Sequence, residues 1–371
     1  MKHFTLLAGA AVLAVGFSSS LYAQDAGHAL CAIDQSHCGH GAKTPPPISI
    51  MGGHTHGPGS VMFSYRYARM DMGGNRDGTR SLSPEEIATT IPNRFAGTPG
   101  QPATLRVVPT DMHMNMHMFG AMYGVNDWLT VMAMGAWMDK DMRAVTFAGG
   151  AGTTVLGTNT MRTQGWGDVR LNAMFEAYHQ GAHSIVVEPG LSVPTGSIKE
   201  EATMLMPNGA RMRRRASYGM QMGSGTYDFM PRVTYSGFAG DWSWGAQYTG
   251  EIRLEDENSQ GYALGDKHRA DIWGGYKITP DVSGSLRLGG MTQGKIDGID
   301  TNISGAMQGA DPDNYGGMVI EGGLALNYKA QNGVLAGHRF GVEVTAPLYQ
   351  NLNGPQLERD YTAMIGWTKA F

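Results

Sequence analysis

Asp111-Met112-His113-Met114-Asn115-Met116-His117-Met118 alternates thioethers with polar side chains over consecutive positions. Successive side chains of a strand point to opposite faces. Met112, Met114, Met116 and Met118 therefore share one face, and His113 and His117 the other. Thioethers are soft ligands that select Cu(I), whereas imidazole suits Cu(II) and zinc. A ladder of weak, exchangeable ligands fits conduction, in which an ion must enter without being trapped. Methionine is equally a flexible apolar filler that packs cores or faces lipid, and both readings stand. Tyr123, read as an interfacial ring, is in phase with His117 and puts the methionines inside. The opposite phase lines the interior with Asp111, His113, Asn115 and His117 instead.

A second set of donors precedes the first strand. His54 and His56 stand two apart in a Gly/Pro-rich stretch, downstream of Cys31, His37, Cys38 and His40. The two cysteines form a disulfide in an oxidising compartment, or join His37 and His40 in a metal site. His54 and His56 are metal donors at the mouth of the path, or plain linker residues. Copper enters as a bound or transported ion; no cofactor is required. No Gly-x-Ser-x-Gly elbow, His-Glu-x-x-His helix or phosphate loop is present, so an enzyme is not expected. The net charge of −4 gives no electrostatic case for nucleic acid.

The elements that must carry these residues announce themselves at both ends. Lys2 and His3 precede an apolar run from Phe4 to Phe17, and Ser18-Ser19-Ser20-Leu21-Tyr22-Ala23 completes a secretory signal, residues 1–23. Residues 24–59 show no periodicity and read as an extended periplasmic segment. From residue 60 to 371 alternation takes over: Val61-Phe63-Tyr65-Tyr67, Val169-Leu171-Ala173-Phe175, Trp242-Trp244-Ala246-Tyr248, Phe340-Val342-Val344-Ala346-Leu348, and the closing strand to Phe371. The spacing predicts strands near 60–72, 111–123, 128–138, 167–178, 184–194, 226–236, 242–254, 269–277, 283–293, 317–328, 338–348 and 359–371.

Short turns alternate with long loops at 73–110, 139–166, 195–225, 255–268 and 295–316. Aromatics (Tyr123, Trp128, Tyr178, Trp242, Tyr276, Tyr328, Trp367) gather at the short-turn ends, where amphipathic rings prefer a lipid headgroup level. A soluble sandwich or propeller predicts neither feature. The expected fold is all-β: a single-chain transmembrane antiparallel β-barrel of about 12 strands in the bacterial outer membrane. Its partners are outer-membrane lipid and lipopolysaccharide, the barrel-assembly machinery, and a small solute or metal ion. Mixed lumen-phase charges, among them Arg66, Arg170, Glu188, Arg232, Glu251, Arg287, Glu321, Arg339 and Glu343, are expected to pair across the interior. Arg211-Met212-Arg213-Arg214-Arg215 reads as a solvated or phosphate-contacting face.

Gly165-Trp166-Gly167-Asp168-Val169-Arg170-Leu171, Val193-Pro194-Thr195-Gly196 and Gly223-Ser224-Gly225-Thr226-Tyr227-Asp228-Phe229 resemble blocks of an outer-membrane transporter-like family linked to the meta-pathway of phenol degradation. His54-Thr55-His56 and Ser64-Tyr65-Arg66-Tyr67 resemble a Met-rich subset of it. The resemblance implies a closed barrel and transport without settling the cargo. The 26 methionines favour a soft metal, copper first; the resemblance favours small hydrophobic or aromatic compounds. A structural surface barrel is the third reading.

Overall fold

Alternation commits each segment to two faces, and in hydrocarbon every strand must also find hydrogen-bonding neighbours on both edges. The computed structural model describes residues 44–371, and there the sheet closes into a ring. Its strands are β1 (Val61–Gly78), β2 (Val107–Asn126), β3 (Leu129–Phe147), β4 (Val169–Gln180), β5 (His183–Glu188), β6 (Arg232–Ala239), β7 (Trp242–Arg253), β8 (Lys267–Lys277), β9 (Val282–Gln293), β10 (Gly317–Lys329) and β11 (His338–Ala370). Each is antiparallel to the next, and β11 pairs back onto β1. The strands Arg80–Leu82, Val155–Trp166, Gly190–Val193 and Asp228–Phe229 extend the same sheet.

β11 runs for 33 residues and pairs with β10 through its first half and with β1 through its second. Its halves lie side by side: Trp367 Nε1 donates to His338 Nδ1 at 2.9 Å, and Gln350 Nε2 to the Arg359 carbonyl at 3.0 Å. The chain reverses near Gly354, whose φ is 67°. β11 thus supplies two staves, and the eleven strands make a ring of twelve, as the alternation predicts.

The two-residue hairpin loops Gly181-Ala182 and Gly240-Asp241 each begin on a glycine at φ 59°, the left-handed conformation that such tight reversals demand. The strands outrun their predicted ends on the long-loop side. β1 reaches Gly78, β2 starts at Val107, and Val155–Trp166 pairs with the top of β3. Outward positions there are Asp139, Asp141, Arg143 and Arg162. Beyond the bilayer the outer face no longer has to be apolar, so the alternation fades while the strand continues. The long loops are structured: Ser83 caps the helix Pro84–Thr90, and Glu201–Leu205 pairs with Arg211–Arg215.

Residues 1–43 lie outside the described residues, and with them the signal segment and Cys31, His37, Cys38 and His40. From Thr44 to Gly59 the pre-barrel segment runs against the inward faces of the staves. Arg66 Nε donates to the Ile48 carbonyl at 3.0 Å, Arg339 Nη2 to the Pro46 carbonyl at 2.6 Å and Gln247 Nε2 to the Met51 carbonyl at 2.6 Å. Ser49 donates through both its backbone N–H and its hydroxyl to Glu343, each at 2.9 Å. This part of the segment expected in the periplasm is a plug inside the barrel. Its lack of regular structure leaves its backbone groups free, and a polar lumen wall supplies their partners.

Gly341 and Gly366 form a socket for Ile48: a Cβ on the first would lie 2.9 Å from Ile48 Cβ, and on the second 2.6 Å from Ile48 Cγ1. A Gly341→Leu, Gly366→Leu variant is therefore expected to keep its heat-modifiable folded band but lose the seat of the plug. Its conductance in planar bilayers should rise above that of the unaltered protein. Equal conductance would show that these glycines do not seat the plug.

Candidate functional site

Burial resolves the phase of the methionine strand. Phe119 and Tyr123 of β2 are each 47% exposed, whereas Met112 and Met122 are 7% and 5% exposed. The thioethers face the lumen. His117 lies on the outer face, its Nδ1 2.8 Å from the Tyr65 hydroxyl and its ring 5.1 Å from that of Tyr67. His113, also outward, pairs with Asp71, and its Nδ1 is 3.2 Å from Arg69 Nη2. The methionines thus line the lumen while His113 and His117 stand on the outer face. A period of two places a strand's neighbours on opposite sides of a wall one residue thick.

The inward methionines align across strands. Met72 of β1, Met112 of β2, Met142 of β3 and Met161 of the strand Val155–Trp166 are consecutive register partners and make one rung. Met70 pairs with Met114 and Met116 with Met138; lower down Met62, Met122 and Met132 form a rung of three. Directly opposed side chains have Cβ atoms about 4.5–5.5 Å apart, so each rung is continuous sulfur-bearing surface. The column closes at both ends on further methionines. At the long-loop end Met204, Met220 and Met307 pack onto the top rung. At the other end Met174 and the plug residue Met51 pack with Met122 and Met132.

Nearly across the ring the wall is charged. Arg287 of β9, 5% exposed in its side chain, reaches Asp271 at 2.6 Å, Glu321 at 3.0 Å and Glu343 at 2.8 Å. Arg269 and Arg359 reach Glu321 at 2.6 and 3.1 Å. Elsewhere Arg232 pairs with Glu188 at 2.7 Å and Arg170 with Glu251 at 3.6 Å. These are the lumen pairs expected from the alternation. Asp271, Arg269 and Arg359 escaped the sequence reading; their inward phase within charged strand ends was the available signal. Glu343 has two duties, since it also holds Ser49 of the plug. Replacing Arg287 by Ala leaves Glu343 with Ser49 as its remaining partner, while Asp271 and Glu321 keep Arg269, and should destabilise the barrel by about 3–5 kcal/mol, the usual penalty for breaking a buried ion pair. Urea unfolding in detergent measures this, and an unchanged midpoint would mean that solvent replaces the arginine.

His54 and His56 sit on the plug, their ring centroids 5.0 Å apart, with the His56 backbone N–H donating to Thr130 Oγ1 at 2.8 Å. His54 faces lumen water but is enclosed by the barrel. Burial, His56, Arg339 and Lys329 together lower its pKa from 6.5 to about 3. The ring is neutral when the plug is docked. Its contribution is intact above 6.5 and lost as pH falls through that value toward 3, because only the undocked form takes up the proton. Conductance should rise between about pH 7 and about pH 5, and His54→Gln should flatten this dependence. Among the described residues no group of three or more His, Cys, Asp or Glu side chains is placed to hold a metal.

The three sequence blocks shared with the transporter-like family meet in one knot. Asp168 accepts the Gly196 and Ser224 backbone N–H groups, each at 2.8 Å, and Thr195 Oγ1 accepts the Val169 N–H at 2.9 Å. Asp228 accepts Thr226 Oγ1 at 2.6 Å and pairs with Arg253. A Cβ on Gly223 would lie 2.5 Å from Asp168 Oδ1, so that position is restricted to glycine. The knot joins places where neighbouring staves break, between Trp166 and Val169 and between Phe229 and Arg232. It organises the wall rather than the lumen surface. The Arg211–Arg215 run is also absorbed locally, Arg213 onto Glu201 at 3.0 Å and Arg211 onto Asn159 at 2.9 Å.

Residues 96–357 match the family described as Putative MetA-pathway of phenol degradation. The COG4313 outer membrane channel from Pseudomonas putida F1 is similar in fold, with a TM-score of 0.53 and 13% identity over 87% of this chain and 99% of that one. The P. putida toluene transporter TodX overlays more loosely, with a TM-score of 0.42 and 10% identity over 84% and 90% of the chains. No curated protein sequence matches this chain. The matched span covers well over half of the residues, and with the closed twelve-stave ring it makes this chain an outer-membrane β-barrel of the family described as Putative MetA-pathway of phenol degradation.

Proposed function

We propose that this channel conducts small hydrophobic, aromatic compounds across the bacterial outer membrane, along the methionine column and past the plug. The column carries the reading. It is a thioether-lined track, broken by Arg66 and Lys140, inside a barrel whose other lumen surfaces are polar or charged, and thioethers make favourable contacts with aromatic rings. Flexible methionines reshape around differently substituted rings without a fixed pocket. The family's description, which names phenol degradation, points the same way.

The outer wall adds an observation. An apolar hollow of about 790 Å³ on the lipid-facing side is lined by Phe63, Tyr123, Leu171, Leu191 and Phe229, and also by Met122 and Met132 of the lumen column. The wall there carries Ala121, Ala133, Ala173 and Gly190, small residues that bring the two faces close. Apolar cargo partitions into such a hollow at no desolvation cost, whereas a hydrated ion does not.

Plain phospholipid vesicles leak apolar solutes, so the test belongs in cells, where the lipopolysaccharide leaflet is the barrier. A deletion strain supplied with a monoaromatic carbon source at limiting concentration should grow more slowly than the parent. Met116→Lys places a charge within the column and should cut uptake about tenfold, with the folded band retained. Equal growth of the deletion strain and the parent on limiting aromatic substrate rules out this function.

A further inference from the structure

Apolarity alone does not account for how residues are sorted in this wall. Over 61–72, 112–125, 129–142 and 161–176, fourteen methionines lie on the lumen face and none on the lipid face. Over the same positions every aliphatic side chain larger than alanine, and every aromatic one, points outward. Leucine fills an apolar surface as well as methionine and is nearly isosteric with it. A lumen requiring only hydrophobic surface would mix the two, and the lipid face would hold some methionine. Within these four stretches the segregation follows sulfur, and aliphatic side chains join the column only at its ends, where Val107, Leu357 and Val186 pack onto it.

From this we infer that the column is also a path for a soft d¹⁰ cation, Cu(I) or Ag(I), held in turn by thioethers of successive rungs. The inference rests on the reading of the lumen as a conduit and adds a second cargo class to it. Three features fit. The rungs oppose methionines directly across strand pairs, as in Met70 with Met114 and Met116 with Met138, so two thioethers can serve one ion. Thioethers bind soft cations weakly and exchangeably, which permits transfer from rung to rung. No cluster of three hard or borderline donors stands among the described residues to trap Zn(II). At the plug the neutral imidazole of His56, its Nε2 buried without a hydrogen-bond partner, offers a ligand below the lowest rungs. The ion moves as Cu(I) or Ag(I) throughout, so no electron is exchanged.

The test uses the full-length purified protein in detergent, in a Cys31→Ser, Cys38→Ser background that removes thiols from the comparison. Ag(I) is the probe because it does not change oxidation state. The unaltered column should bind more than one Ag(I), and the ε-methyl NMR signals of methyl-labelled methionines should shift on addition. The Met112→Leu, Met114→Leu, Met116→Leu, Met118→Leu variant should bind fewer ions and about tenfold more weakly, because leucine keeps the apolar surface and deletes the sulfur. If the quadruple variant lacks a folded band, Met114→Leu with Met116→Leu and the methyl shifts of the unaltered protein give the same readout. Unchanged stoichiometry and affinity in the leucine variant, or methyl signals that do not respond to Ag(I), overturn the inference. Aromatic uptake is read separately, by growth of the deletion strain against the parent, and Ag(I) binding to the purified protein does not enter that comparison, so failure of the metal path and failure of the aromatic path are distinguishable.

Discussion

Everything in this molecule depends on the closure of β11 onto β1. An open edge would leave a row of N–H and C=O groups facing hydrocarbon, at several kilocalories per group. Pairing Met62 with Ala370, and on through Asp71 with Tyr361, removes that edge. Closure also creates two environments separated by a wall one residue thick. Whatever the chain places at odd and even positions is thereby assigned to lipid or lumen, and a slip of one residue would exchange them all.

The lumen that results is divided. Methionines crowd the staves from β1 through β4, while ion pairs centred on Arg287 occupy the staves β8 through β11. The pre-barrel segment lies between them and touches both, Met51 against the thioethers and Ser49 against Glu343. A change at the charged wall is therefore mechanically linked to the segment that occupies the path. At the long-loop end the cap makes a similar bridge: Lys140, set among the methionine rungs, donates to the carbonyls of Gly219 and Gln221 at 3.0 and 2.6 Å.

The family's sequence blocks are the easiest part of the chain to recognise, yet they build the wall. Asp168, Gly196, Ser224 and Asp228 form a hydrogen-bonded knot where strands break and must be held in register. The residues that differ in chemistry, the methionines, stand on plain unbroken strands. Recognition of the family and recognition of the cargo thus draw on separate residues, which is why the first did not supply the second.

Sequence by itself determined the strands, their number, their alternation and the compartment, because period two and turn length are local properties that the bilayer leaves little freedom to override. It also showed that Met112, Met114, Met116 and Met118 part company with His113 and His117. Only the closed structure decided which set faces inward, since lipid and lumen both accept methionine and only the burial of one face distinguishes them. It alone decided that Met72, Met112, Met142 and Met161 form a rung, because register between positions 19 to 40 residues apart is set by pairing across the ring. The plug was beyond the sequence for the same reason: residues 44–59 have no periodicity, and their place is dictated by partners such as Glu343 and Arg339, nearly three hundred positions away.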